Sequence, residues 1–195
     1  MVMDEPEGAT PLDPDELEGL KFSHIETHGE LDQLEQQSIQ EGYNWLSHQR
    51  KYKDFITEDF LKALHEKLFG SVWTWAGHFR KTEKSIGIDP LIISVELRKL
   101  LDDARFWVEN GTYNREDFAA RFHHRLVKIH SFPNGNGRHA RIMTDVILEK
   151  VLSVAPVNWG ANILDTEGEH RRSYIQALRS ADNNDYRKLV EFVSK

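Results

Sequence analysis

Apolar side chains recur at helical spacing through most of the chain, and the residues between them carry start and stop signals. Leu31, Leu34, Trp45 and Leu46 mark one side of a predicted helix over 29–47. Thr57, followed by Glu58 and Asp59, predicts the capped start of a second helix, which Gly70 ends. Asp89-Pro90 opens a third, carrying Leu91, Val95, Leu97, Leu100 and Leu101 and closing near Gly111. Asn114 is the predicted cap of a fourth, with the stripe Phe118, Phe122, Leu126 and Ile129, and Ile142, Val146, Ile147 and Val151 line a fifth. An irregular segment from Trp159 to Asp165 follows. Tyr174, Ile175 and Leu178, then Leu189, Val190 and Val193, predict two short final helices. Lys81 to Asp89 reads differently. Thr82, Ile86 and Ile88 favour extended backbone and Gly87 allows a bend, so a small hairpin is expected there, either one whose edge pairs with an extended segment of another protein or a plain surface hairpin. The fold class is all-α with one small β-hairpin.

Composition narrows the setting. At 195 residues the chain can build one sizeable hydrophobic core. It has no cysteine, which gives no reason to expect a disulfide framework or a thiolate metal site. No apolar run approaches a membrane span and no signal peptide is evident, so a soluble cytoplasmic protein is the expectation, with no membrane partner. The net charge of −7 is concentrated at one end: Asp4, Glu5, Glu7, Asp13, Asp15, Glu16 and Glu18 fall within residues 1–20, which hold no Lys or Arg. That stretch reads as an acidic extended arm and residues 21–195 as a single domain. The balanced remainder carries no broad basic patch, so no nucleic-acid partner is expected.

The chemistry gathers where the fourth predicted helix meets the fifth, in HSFPNGNGRHAR, His130 to Arg141. Gly135 and Gly137 leave room for an incoming group and let the backbone N–H groups of Asn136, Gly137 and Arg138 converge at the start of a helix. Such a start attracts anions. Arg138 and Arg141, three residues apart on one helix face, can both reach a charge bound there, and polyphosphate suits that pattern. His130 is the side chain at this turn able to accept a proton near neutral pH. A glycine-rich helix connection with surface arginines would need one glycine, not Gly-Asn-Gly-Arg followed by a second arginine. The ten histidines show no H-E-x-x-H pair, so a zinc site is not expected; His123 and His124 read as one interior and one surface histidine.

This stretch resembles the signature of the Fic family, H-x-F-x-[D/E]-G-N-G-R-x-x-R. His130, Phe132, Gly135, Asn136, Gly137, Arg138 and Arg141 match it, while Asn134 stands in place of the acidic residue. The likeness covers roughly residues 57–193 and implies a Fic-like helical domain. It also implies a protein adenylyltransferase that moves AMP from ATP to a serine, threonine or tyrosine hydroxyl of a target protein. On this resemblance His130 is the general base, Gly135, Asn136 and Gly137 form the anion hole, Arg138 binds the β and γ phosphates and Arg141 meets the γ phosphate. Phe132 fixes the loop. W-A-G-x-F-R, here Trp75 to Arg80, leads into a flap whose tip, Ser85, Ile86 and Gly87, docks the target by main-chain pairing. Gly137 favours AMP transfer over the phosphate transfer of the Doc relatives, which carry lysine near that place. Turns of this type with asparagine also occur in the bacterial group named mobile mystery protein B, which the whole chain resembles.

Two further expectations follow from the resemblance. The acidic residue of the signature contributes to Mg²⁺ binding, so Asn134 would be a weakened metal ligand, and either a slower transferase, altered transfer chemistry or a non-catalytic phosphate-binding module is compatible with it. Many Fic proteins also carry an inhibitory helix with the pattern [S/T]-x-x-x-E-[G/N]. QSIQEG gives Glu41-Gly42 with Ser38 one place late. At about 100° per residue Glu41 falls on the side of Leu31, Leu34 and Trp45, where a pair with Arg141 is expected, and Gly42 beside it lets the helix approach another closely. A glutamate at the stripe's edge, reaching water, is the alternative. An antitoxin partner or self-association is left open.

Overall fold

The computed structural model describes residues 17–23, 25, 27–49, 54–159 and 167–194. Most of the acidic arm, and everything between Trp159 and Glu167, lies outside the described residues. Seven α-helices are found among those described: α1 (His28–Ser47), α2 (Glu58–Phe69), α3 (Ile93–Asn110), α4 (Arg115–Ile129), α5 (Asn136–Val146), α6 (Glu167–Asp182) and α7 (Arg187–Val193). A single 3-10 turn, Pro90–Ile92, precedes α3, and a π-helical turn, Ile147–Val151, extends α5. None of these helices is long and apolar enough to cross a membrane.

The local signals act where they were expected. The Thr57 hydroxyl accepts from Phe60 N–H at 3.2 Å and the Asn114 side chain from Asp117 N–H at 2.8 Å, each filling an orphan donor of a first turn. Thr27 and Glu30 form a capping box at the start of α1. Gly111 ends α3 with φ 57°, a left-handed conformation suited to glycine.

The core is helix on helix. Phe60, Leu61, Leu64, Leu68 and Phe69 of α2, Leu97 and Leu100 of α3, Phe118 and Phe122 of α4 and Met143 and Ile147 of the fifth segment are all at most 2% exposed. The α4–α5 pair at the centre is flanked by α2 and α3 on one side and α7 on another, while α1 lies along α2. Gly42 permits that last contact: a β-carbon there would stand 2.7 Å from Leu68 and 3.0 Å from the Lys67 carbonyl oxygen. The segment Ser71 to Arg80 anchors the core through Val72, Trp73 and Ala76, and Trp73 bridges Leu20 in antiparallel fashion. Thr74 N–H donates to Gly19 O at 2.8 Å and Lys21 N–H to Val72 O at 2.9 Å, so the end of the arm is laid against this segment.

Three expectations need correction, and one apolar stretch needs its exposed side named. No strand is present among the described residues, and residues 81–89 form an irregular flap. Both its ends are held by one buried guanidinium, Arg80, which donates to Thr82 O at 2.8 Å and to Ile88 O; ladder bonds are thereby replaced by side-chain bonds. Leu91 and Val95 are 88% and 50% exposed, because the core face of α3 is set by Ile93, Leu97, Leu100 and Ala104. His124 is buried as well as His123: its ring lies 3.1 Å from both Tyr186 Oη and Asp182 Oδ1. Finally, α6 is not short, running for 16 residues.

Candidate active site

The turn between α4 and α5 is built from its own sequence. His130 caps α4 in the left-handed region (φ 54°), and Gly135 caps the start of α5 at φ 76°. A β-carbon on Gly135 would collide with the Phe69 ring at 2.6 Å, so this position is closed to other residues. The Asn136 side chain folds back over the turn, its Oδ1 accepting from Phe132 N–H at 2.9 Å and its Nδ2 donating to Phe132 O at 2.7 Å. Asn136 therefore shapes the loop with its side chain and can offer a ligand only its backbone N–H. Unlike α1, α2 and α4, α5 has no side-chain cap, and above Gly137 there is open space. First-turn amides without a side-chain cap facing open space make an anion site.

Phe132 is fully buried and stacks on His65 at 3.7 Å between ring centroids. His65 Nε2 lies 3.1 Å from Asn134 O, and Gly77 N–H donates to His65 Nδ1 at 3.0 Å. A carbonyl can only accept, so His65 is neutral with its proton on Nε2. Burial, reinforced by nearby His139 and Arg138, keeps its pKa well below the ordinary value. His139 Nε2 donates to Leu61 O at 3.0 Å. The loop is thus pinned to α2 by two buried histidines that sequence reasoning left unassigned.

His130 is 4% exposed. Burial first, then the Arg80 charge, lower its pKa to about 4, so near neutral pH it is an unprotonated imidazole. Arg80 Nε donates to His130 O at 2.6 Å and Arg80 N–H to Ser131 O at 3.0 Å. Gly87 (φ 111°) comes so close that a β-carbon on it would lie 2.8 Å from His130 Cβ. The flap tip and the candidate base are therefore in contact, with Ser85, Ile86 and Gly87 exposed beside it.

The two arginines have different surroundings. Arg138 Nη1 donates to Glu35 Oε2 at 2.6 Å, and its guanidinium lies 4.9 Å from the centre of the Phe69 ring. Glu35 is only 5% exposed, and its other oxygen accepts from Trp73 Nε1 at 2.7 Å. Arg141 lies over the ring of Tyr174 at 4.8 Å. The expected pair of Glu41 with Arg141 is not formed: Glu41 is exposed. The interior stripe of α1 runs through Leu31, Glu35, Ser38, Gly42 and Leu46, and at about 100° per residue Glu41 is turned about 100° from its centre. Spacing of four after Leu31 and three before Ser38 was the signal for Glu35.

Asn134 Oδ1 accepts from Gly135 N–H at 2.5 Å. Its one neutral oxygen is turned into the loop, and among the described residues no group of three His, Asp or Glu could hold a metal ion. This donor set does not fit a protein-held Mg²⁺.

Residues 55–148 match the model of the Fic/DOC family. That stretch, just under half of the chain, is similar to Fic/DOC proteins and holds the His130–Arg141 loop. A protein adenylyltransferase Fic of Aedes aegypti is 26% identical over 145 residues, 72% of this chain and 28% of that protein. The protein adenylyltransferase fic-1 of Caenorhabditis elegans is 29% identical over 153 residues, 74% of this chain and 28% of that one. The chain thus spans little more than a quarter of these relatives. In fold it resembles the N-terminal FIC domain of Bep8 from Bartonella sp. 1-1C, with a TM-score of 0.71 at 18% identity, covering 91% of this chain and 90% of that one.

The buried histidines of this domain carry a pH signature. Burial lowers His123 to about 3 and His139 and His130 to about 4, while an unfolded histidine titrates near 6.5. The unfolded chain therefore binds more protons between these values, so stability is full above about 6.5 and falls as pH drops toward 4. Asp145 opposes one of them, since burial raises it to about 6. The three histidines with these values against one aspartate leave a slope of order 3 kcal/mol per pH unit between about pH 6 and 4, and His65 and His124, lowered in the same direction, add to it. Denaturant unfolding at pH 7.5 and 5.0 is expected to show a large loss of stability at the lower pH; equal midpoints would contradict the assignment of neutral buried imidazoles.

Proposed function

We propose that this chain is a protein adenylyltransferase that moves AMP from ATP to a serine, threonine or tyrosine hydroxyl of a target protein. The observation carrying this reading is the pairing, in one loop, of an unprotonated buried His130 with the helix start of α5, which no side chain caps and whose amides and arginines suit a polyphosphate. Pure anion binding would not require a base. The names of the relatives agree with it.

In this mechanism the target segment lies along Ser85, Ile86 and Gly87, which brings its hydroxyl to His130. The imidazole takes the hydroxyl proton as the oxygen attacks the α-phosphorus. A new P–O bond forms, the bond to the β-phosphate oxygen breaks and pyrophosphate leaves. The backbone amides of Asn136, Gly137 and Arg138 and the guanidinium groups of Arg138 and Arg141 hold the phosphates and meet the developing charge. Mg²⁺ would enter with the nucleotide, its charge matched by the phosphates, since Asn134 offers only a neutral oxygen.

The Glu35–Arg138 pair adds control. While Glu35 holds Arg138, that guanidinium is not free for phosphate and a buried carboxylate stands beside the site. The protein as it stands is a restrained enzyme, and displacement of α1 or neutralisation of Glu35 releases it.

Asn134 favours a second reading, a phosphate-binding module without transfer. Product analysis separates the two. With ATP, Mg²⁺ and a cell lysate, the adenylyltransferase releases pyrophosphate, a phosphotransferase would release ADP, and a binding module would release neither.

A further inference from the structure

Of the residues from His130 to Gly137, all are buried except Asn134 and Gly137, which are half-buried. An incoming ligand therefore meets the loop at these two positions. Gly137 offers its backbone N–H beneath open space. Asn134 offers its carboxamide, and the direction of that group decides what it can hold.

Both oxygens of Asn134 are turned into the protein. Its Oδ1 accepts from Gly135 N–H at 2.5 Å, and its main-chain oxygen accepts from His65 Nε2 at 3.1 Å. An N–H group can only donate, so the carboxamide atom that faces Gly135 is the oxygen and the remaining corner is Nδ2. Among the described residues Nδ2 has no hydrogen-bond partner. What the side chain presents outward, beside the start of α5, is a pair of N–H donors. Donors suit an oxyanion, not a cation. A carboxylate at this position would repel a phosphate unless a metal ion stood between the two. The amide removes that repulsion and adds a donor to those of Gly137 and Arg138.

We infer that the Asn134 carboxamide is a direct phosphate ligand, so that the loop binds the nucleotide through hydrogen-bond donors and needs no divalent cation for affinity. This rests on the reading of the loop as a polyphosphate site. Mg²⁺ carried by ATP is then tied to the phosphates and not to the chain.

The test is calorimetric titration with ATP, once in EDTA and once in excess Mg²⁺. The parent is Glu35→Gln, so that Arg138 is available throughout. Its ATP affinity is expected to agree within about threefold between the two conditions. Asn134→Asp keeps the oxygen that Gly135 N–H requires and exchanges the donors for charge. In EDTA it should bind ATP about tenfold more weakly than the parent or worse, the scale of one hydrogen bond to a charged group, and Mg²⁺ should restore the affinity. Asn134→Ala should lose about tenfold in both conditions, with melting unchanged. A parent that loses its affinity in EDTA, or an Asn134→Ala variant that binds ATP as the parent does, overturns the inference. Equal losses in both variants and both conditions, with early melting, would make Asn134 only a structural cap of Gly135 and overturn it as well. A parent that binds neither ATP nor inorganic pyrophosphate would instead overturn the polyphosphate reading of the loop.

Discussion

Replacing His130 by alanine is expected to abolish transfer of AMP while leaving ATP affinity within a few-fold of the parent. A positioned general base contributes about 10²- to 10⁴-fold in rate, and no other side chain of the turn can take its place. The phosphate contacts come from the α5 amides and from Arg138 and Arg141, so ground-state binding does not depend on the imidazole. The main-chain bonds that hold this position, Arg80 to His130 O and Ser131 O, survive the substitution. Its pH dependence carries a second signature. The base works only unprotonated, and burial with the Arg80 charge lowers its pKa to about 4. The rate should therefore stay level from pH 8 down through 6 and fall only as pH approaches the lowered value. An acid limb near 6.5, the ordinary histidine value, would show an exposed imidazole and contradict this geometry.

Glu35→Gln is expected to act in the opposite direction, raising both ATP affinity and labelling. The carboxylate is 5% exposed and ties Arg138 at 2.6 Å, while Arg138 itself is partly open to solvent. Glutamine keeps an oxygen for Trp73 Nε1 and removes the charge, so the helix contact survives and the guanidinium is released. A hydrogen bond to a charged group is worth roughly 1.5–3 kcal/mol, which corresponds to about ten- to a hundredfold in affinity. Solvent around Arg138 favours the lower end. Glu41→Gln, an exposed change on the same helix, is the matched control and should do nothing. If titration gave equal ATP affinity for Glu35→Gln and the parent, the Glu35 pair would be a structural tie only.

The loop itself was legible because its constraints are local. Gly135, Asn136 and the helix start act within a few residues, and each is a rule of backbone geometry readable from order alone. The caps Thr57 and Asn114 were legible for the same reason. Glu35 was missed because a motif register was followed instead of the stripe: Glu41-Gly42 fits the end of the pattern, yet four and three residues separate Glu35 from Leu31 and Ser38, which places it on the buried line. The flap was misread as a hairpin because no local signal says that Arg80 will bind both of its ends. Leu91 and Val95 are apolar residues of the third predicted helix that stay exposed, because the direction of α3 follows from packing against α2 and α4. Tyr174 and His65 could not be found from spacing at all. Each reaches the site from a separate helix, and their partners lie 33 residues away at Arg141 and 69 away at Asn134.

If His130 directs a hydroxyl to the α-phosphorus, the label that reaches protein must come from that phosphate. Glu35→Gln protein is incubated with Mg²⁺, a cell lysate and ATP labelled in parallel reactions at the α- or the γ-phosphate. Label from the α position should appear on protein, label from the γ position should not, and His130→Ala in the same background should remove the signal. Protein labelled from the γ position, or from neither, would contradict it.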